Sequence, residues 1–476
     1  MSRRTKIVAT IGPASDSPEV LRSLIDAGVN VFRLGTAHDT VDRVLERVAA
    51  IRSAAEDRKA NVGILVDLAG PKVRAGFGDE PVELVEGSTV TITGGEGISD
   101  SHNIIVNVED IAKNLMPGDV LHMGDGSATL IVSEVSLTQA TALVERGGVM
   151  RGRPGVHIPS SRLSTSSPTK EDIEYFDAVV DANVDMVAVS FVKTARDVRA
   201  LAAEPPPKGP LIIAKIETQA AVDNLDSILE YCGGVMVARG DLGLECSLAT
   251  LPALQKKIIA AGVQAGKPVI TATQMLESMT SNSQPTRAEV TDVANAVFDG
   301  TSAVMLSGET AVGHDPVLVV QTMAEILNEA EKEFDHERWS ERIEALTDIE
   351  VQPNDRRRVA LAMRSAAQRA AYELDSRVIV CVTGTGATAR AISRYRPKAE
   401  IIAVAPTDDV LGQLALSWGV LPMVDSAEGE GTERILGVLE HLRDQGLVKQ
   451  GELIPVVAGA SNSALVSNVL RIENVP

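Results

Sequence analysis

The sequence predicts an α/β protein: a (β/α)8 TIM barrel, a small all-β barrel domain inserted into it, and a C-terminal α/β domain. Three observations carry this prediction. Short apolar runs alternate with helix-period stretches, the rhythm of a parallel sheet. Eight such runs can be found before residue 310, the number that closes a barrel. Between the third and the fourth the rhythm gives way to alternating strands and Gly-rich turns. A chain of 476 residues has room for two to four domains.

In order, 6–11 (KIVATI) reads as a buried strand closed by Gly12-Pro13. Ser17 caps a helix through Leu21, Leu24 and Ile25 that stops at Gly28. A strand at 30–34 ends in Arg33-Leu34-Gly35-Thr36-Ala37-His38, and a helix over 41–55 leads to a third strand, 62–67. These form the first part of the barrel domain, residues 1–70. Residues 71–168 are the inserted lid, with strands expected at 82–85, 89–93, 120–122, 128–135 and 140–145. Two connections to the barrel would let it swing over the mouth. The barrel resumes over 169–345 with strands at 186–191, 211–216, 235–238, 269–273 and 303–307. A polar helix over 324–339 and a charged linker at 348–358, broken by Pro353, precede the C-terminal domain, 355–476. Its strands are expected at 377–382, 401–404 and 454–457, and its helices at 360–372 and 432–444.

Five consecutive strands of the second part end in polar residues, as the mouth of a barrel requires. Two matter most: LIIAKIE (211–217) and VMVARGD (235–241). Lys215, Glu217 and Asp241 converge there as one ammonium and two carboxylates, the composition of a site for a divalent cation and an anionic substrate. The plain alternative is a pair of surface ion pairs at loop starts. The loop Thr383-Gly384-Thr385-Gly386-Ala387-Thr388 between a strand and a helix could cradle a phosphate, or be a tight connection only, since it lacks a P-loop lysine.

Composition narrows the function classes. Lys plus Arg number 45 against 65 Asp plus Glu, a net charge of −20 that repels nucleic acid and anionic membranes, so an anionic substrate needs local cations. With 3% aromatic residues the cores must be built from Val, Ile, Leu and Ala. Cys232, Cys246 and Cys381 are dispersed and read as core thiols of a reducing cytoplasm. No apolar run approaches membrane-spanning length, and the basic N-terminus turns before a signal-like region develops. The seven histidines are scattered, none spaced as a metal pair.

The segments RRTKIVATIGPAS (3–15), SFVKTARDV (190–198), AKIE (214–217), VMVARGDLGLE (235–245), ATQMLESM (272–279), PTRAEVTDVANAVFDGTSAVMLSGETAVG (285–313) and SRYRPKAEIIAV (393–404) resemble the pyruvate kinase family, in order and along nearly the whole chain. The resemblance implies a homotetramer that converts phosphoenolpyruvate and ADP to pyruvate and ATP. It gives Lys215 the charge of the transferring phosphoryl group, Arg33 a grip on that group, and Glu217 and Asp241 the Mg2+ or Mn2+. The Ala238-Arg239-Gly240-Asp241 turn would meet the substrate carboxylate, and Thr273 and Ser307, with Glu309, would handle the proton. His38, Arg74 and Arg153 are implied at the nucleotide, and Thr383, Thr385, Gly386 and Thr388 in an effector loop.

Departures from the family pattern cluster. Where the family reads R-L/M-N-F-S-H-G, Gly35 and Ala37 replace the Asn and Ser of a monovalent-cation site; Asp67 remains, and Lys72 stands for the usual Glu. The resemblance to potassium-independent members therefore implies no K+ requirement. Pro154 replaces a nucleotide-side lysine, leaving Arg153 nearest, and Ala387 makes sugar-phosphate activation of the usual kind unexpected. Three readings follow: an active kinase without potassium dependence, which is favoured; a paralogue with another phosphoryl acceptor or enolate chemistry such as oxaloacetate decarboxylation; and a non-catalytic metabolite-binding regulator, against which the intact Lys215, Glu217 and Asp241 argue.

Overall fold

The structure is a computed structural model and describes residues 3–37, 39–124, 126–159, 162, 166–347, 356–425, 427, 431–459 and 467–476. Eight strands, β1 (Lys6–Thr10), β2 (Val31–Gly35), β3 (Gly63–Asp67), β12 (Met186–Val189), β13 (Leu211–Ile216), β14 (Gly234–Ala238), β15 (Val269–Ala272) and β16 (Ala303–Leu306), pair in parallel and close a barrel in that order, β16 returning to β1. Each predicted barrel strand is present within a residue or two. The capping logic holds as well: the Ser17 hydroxyl accepts from Val20 N, and the helix Pro18–Ala27 ends on Gly28 at φ 105°.

Period-two alternation sorts the strands' side chains. Val8, Val31, Leu65, Met186, Leu211, Ile213, Met236, Ile270 and Met305 fill the barrel interior. The intervening residues, such as Ile212, Ala214 and Ile216, pack outward under the helices. Two residues beyond the inward set, the same rule turns Arg33, Asp67, Ser190 and Lys215 into the barrel mouth. The floor is sealed by Ala415 and Leu416 of the C-terminal domain, which join the interior cluster.

Between β3 and β12 the chain forms the lid. A six-stranded sheet runs β11 (Val156–His157), β7 (Val120–Met123), β8 (Ala128–Val135), β9 (Gln139–Arg146), β5 (Thr89–Gly94), β6 (Asn103–Val106), beside a small β10–β4 pair (Gly148–Met150, Val82–Leu84). Bridges from Arg74 to Gly155 and from Ala75 to Val106 curl its two edges toward each other. Both lid connections are tied at one point: Asp172 accepts from Gly70 N at 3.1 Å and from Thr169 N at 2.8 Å, closing a capping box. Strands β6, β10 and β11, two to four residues long, are additions to the strands expected from the sequence.

The helix expected over 324–339 is two helices, Pro316–Lys332 and His336–Thr347. The break follows from Asp335, whose carboxylate accepts from Arg338 N at 3.0 Å and so starts the second helix. The linker expected at 348–358 lies largely outside the described residues. In the C-terminal domain the sheet order is β19 (Val420–Val424), β18 (Glu400–Ala405), β17 (Val378–Val382), β20 (Leu453–Gly459), β21 (Ser467–Asn474), parallel except for β21. Strands β19 and β21 are additions to the sequence reading. No helix among the described residues is long and apolar enough to cross a membrane.

Candidate active site

The mouth is organised around one ammonium. Lys215 Nζ lies 2.9 Å from Glu217 Oε1 and 3.2 Å from Asp67 Oδ1, and donates to Ser190 Oγ at 2.7 Å. Asp67 in turn receives Arg33 Nε at 2.7 Å, and Arg33 Nη1 donates to Thr10 Oγ1 at 3.1 Å. Side chains of Asp67 and Glu217 are 2% and 1% exposed. Charges taken this far from water persist only when paired, so the surface ion-pair alternative is excluded. Burial opposes the charge of Asp67, but Lys215 and Arg33 outweigh it and hold its carboxyl below the usual range. Burial likewise opposes the charge of Lys215, and Asp67 and Glu217 overcome it and raise its pKa.

Glu217 is the exception. Its burial, with Asp241 adding, raises its pKa more than Lys215 and the Phe191 N–H (2.6 Å) lower it. Its Oε1 is enclosed without a well-formed hydrogen bond. Two carboxylates thus repel across the mouth with too little positive charge between them, which a divalent cation would correct. Among the described residues no three His, Cys, Asp or Glu side chains make a ready cage. Mg2+ is characteristically held by one or two carboxylates with substrate oxygens and water, so Glu217 and Asp241 fit it. Lys72, from the lid connection, reaches Asp241 Oδ1 at 3.6 Å.

The turn after β14 is tied to the end of β15. The Gly240 N–H is taken by Thr273 Oγ1 at 2.8 Å, and that hydroxyl donates to Ala272 O at 2.7 Å. The Arg239 side chain, 7% exposed, does not face the mouth. It runs beneath it, donating to Ala272 O (3.2 Å), Thr273 O (2.5 Å) and Gln274 O (3.3 Å) and pairing with Asp292 at 2.5 Å. Thr273 and Gln274 have φ of 66° and 54°, conformations costly for non-glycine residues, and Arg239 is what over-determines them. Glu309 plays the same part at β16: its oxygens accept Ser307 N at 2.6 Å and Leu276 N at 3.1 Å. Ser307 Oγ is buried with no hydrogen-bond partner among the described residues.

On the lid side, Lys72, His122, His157, Lys193, Asp241 and Glu245 line a cleft against the barrel. His157 Nε2 sits 3.2 Å from Glu245 Oε2, and its ring stacks on His122 at 6.2 Å. Sequence reasoning missed both histidines. Both stand on the strand face opposite the lid core of Leu121, Met123, Val156 and Ile158, and their antiparallel pairing, His157 opposite His122, was not legible. His38 lies outside the described residues. Arg74 donates to the Arg153 carbonyl at 3.2 Å, while Arg153 itself is exposed and neither lines the cleft. In the 383–388 loop, Thr383 Oγ1 accepts from Gly386 N at 3.0 Å and Thr385 Oγ1 lies 3.4 Å from Ala387 N, with Gly386 at φ 72°; Thr388 is buried. Two of its hydroxyls therefore serve the turn itself.

A family model described as the pyruvate kinase barrel domain matches residues 2–320, and one described as the pyruvate kinase alpha/beta domain matches 362–473. The chain belongs to the pyruvate kinase family. It is 36% identical to pyruvate kinases of Clostridium acetobutylicum and Thermotoga maritima, each alignment covering 99% of this chain and 100% of the relative. It is 39% identical to pyruvate kinase 2 of Synechocystis over 100% of this chain and 80% of that one. The crystal structure of a pyruvate kinase from Cryptosporidium parvum superposes with a TM-score of 0.89 at 33% identity, covering 100% of this chain and 96% of the other. The family's barrel and alpha/beta domains account for the two-part architecture.

Proposed function

We propose that this member of the pyruvate kinase family transfers the phosphoryl group of phosphoenolpyruvate to ADP, giving ATP and, after protonation of the enolate carbon, pyruvate. The observation that carries the reading is Lys215, buried between Asp67 and Glu217 at the mouth with Arg33 on the far side of Asp67. A loose phosphoryl transition state needs positioning and fixed positive charge rather than covalent help. Arg33 grips the phosphoryl oxygens in its planar fork. Lys215 stabilises charge first on the phosphoryl group and then on the enolate oxygen. Glu217 and Asp241 would hold Mg2+ or Mn2+, which supplies Lewis-acid neutralisation when bound. The turn 238–241 receives the substrate carboxylate on its backbone N–H groups, Thr273 Oγ1 releasing Gly240 N as substrate binds. The bond to the ADP β-phosphate forms as the phosphorus–enol oxygen bond breaks, and Thr273, with Ser307 and Glu309 in the relay, then delivers a proton to the enolate carbon.

Lys72 supports potassium independence: an ammonium 3.6 Å from Asp241 supplies a monovalent charge beside the metal ligands. Gly35 and Ala37 offer no side-chain oxygen to an ion. His38, Arg74 and Arg153 remain the proposed nucleotide residues, and Thr383, Thr385, Gly386 and Thr388 the effector loop. A homotetramer in the cytoplasm completes the proposal. A lactate dehydrogenase-coupled assay with phosphoenolpyruvate, Mg2+ and a panel of nucleoside diphosphates, with and without K+, tests it. Pyruvate formation with ADP that K+ leaves unchanged is expected. No pyruvate with any diphosphate would instead favour the second reading, a different acceptor, which the substitution at Pro154 motivates.

A further inference from the structure

The lid and the barrel do not share a core. The buried apolar cluster of the lid, from Val73 to Ile158, contains no barrel residue, and the barrel clusters contain none from the lid. Without common apolar area, polar contacts decide where the lid sits on the mouth. Two ion pairs cross from the lid segment to one short helix, Arg239–Glu245. Lys72 reaches Asp241 at 3.6 Å, and His157 reaches Glu245 at 3.2 Å. The Gly126 turn lies over the same helix, since a Cβ there would stand 3.5 Å from Leu244 Cδ2.

The two pairs differ in their surroundings. The His157 and Glu245 side chains are 12% and 8% exposed, so water and salt screen them less than the more open Lys72–Asp241 pair. Asp241, Lys72 and Lys193 line the same cleft, and from β7 His122 stacks on His157 with ring centres 6.2 Å apart. Burial, then the charges of His157 and Arg146, push the His122 imidazole down against the opposing pull of Glu145. The charge of the stacked pair therefore falls on His157, where a carboxylate answers it. Asp241 and Glu245 stand four residues apart and share a face of their helix. A lid held through Glu245 is thus held against the helix that carries a proposed metal ligand.

We propose that His157 and Glu245 form a proton-operated latch that docks the lid on the barrel mouth. With His157 protonated the pair closes and the lid covers the mouth. When the imidazole loses its proton the charge attraction goes, and the lid swings free. Histidine is the side chain that makes this change between about pH 5 and 8. The latched form binds the proton more tightly than the open one, so docking is favoured at low pH and lost as pH rises. Neither side chain meets reacting atoms; both are positioning residues. The kinetic consequence rests on the proposed transfer to ADP: an undocked lid encloses ADP less well and raises its KM, while saturating ADP still draws the lid closed and preserves kcat.

Comparison of the full chain with His157→Asn, Glu245→Gln and the double variant tests this. In the coupled pyruvate assay at saturating phosphoenolpyruvate and Mg2+, each single variant should raise the KM for ADP about tenfold at pH 6 and keep kcat within about threefold. The ratio of variant to parent KM cancels the titration of the substrates, and it should fall toward one by pH 8.5. The double variant should be no worse than the singles, because either change alone opens the latch. His102→Asn, exposed on the lid, should leave the KM unchanged at both pH values. Hydrogen exchange of residues 239–246, read by mass spectrometry at pH 6 without substrate, should be faster in each latch variant than in the parent. A KM ratio that does not change with pH overturns the proposal. So do additive single effects, or exchange in 239–246 that matches the parent. A parent that forms no pyruvate would refute the kinase reading alone, and the exchange comparison would then decide the latch by itself.

Discussion

Replacing Lys215 by Met removes one charge from the centre of the mouth and leaves its two partners behind. Asp67 Oδ1 at 3.2 Å and Glu217 Oε1 at 2.9 Å are both buried, and Arg33 then answers Asp67 alone. Breaking a buried pair by removing one partner costs about 3–5 kcal/mol of stability, lessened here because Glu217, already raised, can take up a proton. Catalytically the loss is larger in consequence. Removing one preorganised charge-stabilising donor lowers kcat by about 10²–10³, or about 2.7–4 kcal/mol. A full ammonium should fall at or beyond the upper end. The coupled pyruvate assay at saturating phosphoenolpyruvate measures kcat, and a thermal melt measures the stability cost in parallel. Lys215→Arg, which keeps the charge but not its compact shape, should recover stability more than rate. Turnover of Lys215→Met within about threefold of the parent would refute the assignment of Lys215 to the phosphoryl group. A folded variant with intact kcat would mean that the buried triad is structural only.

Three further expectations follow from other parts of the site and fold. Lys72→Glu, which puts a carboxylate near Asp241, should make activity depend on K+, read as a rise in kcat/KM on adding K+ that the parent lacks; equal activity in both salts would remove Lys72 from the monovalent-ion role. Arg239→Met should release the Thr273–Gln274 turn and lower kcat by about 10² or more through misplacement of the Thr273 hydroxyl; a crystal structure with φ of Thr273 unchanged, together with parental kcat, would contradict that. Asp185, under the barrel, accepts from Ile64 N at 2.7 Å and pairs with Arg52 at 2.8 Å, yet burial raises its pKa to about 6. The folded state therefore binds this proton more tightly than the unfolded chain. The group's stabilisation is complete below about pH 4 and lost as pH rises through 6, worth about 3 kcal/mol. The difference in melting temperature between Asp185→Asn and the parent should change sign or slope across that window, and a constant offset from pH 4 to 7 would disprove the linkage.

What was legible in the sequence was local and repetitive. Apolar runs of four to six residues separated by helix signals identified the eight barrel strands, because a parallel strand buried on both faces has no polar position until it ends. The abrupt ends marked the mouth, and alternation along β13 alone turns Lys215 inward after Leu211 and Ile213. One break stayed hidden because it is made by a single side chain: Asp335 divides one apparent helix by accepting from Arg338 N. The family resemblance implied the backbone of the Ala238–Asp241 turn at the substrate and said nothing of where the Arg239 side chain goes. That guanidinium holds the backbone of β15's end, a partner thirty-odd residues away that no spacing rule reveals. The pairing of His122 with His157, and the meeting of His157 with Glu245, likewise depend on register and on domain packing. Residue identity and period thus determined the barrel, its polar rim and the charges available to it. Which charges neutralise one another, and which are left for a metal or an anion, was decided only when the closed barrel brought distant strand ends within hydrogen-bonding reach.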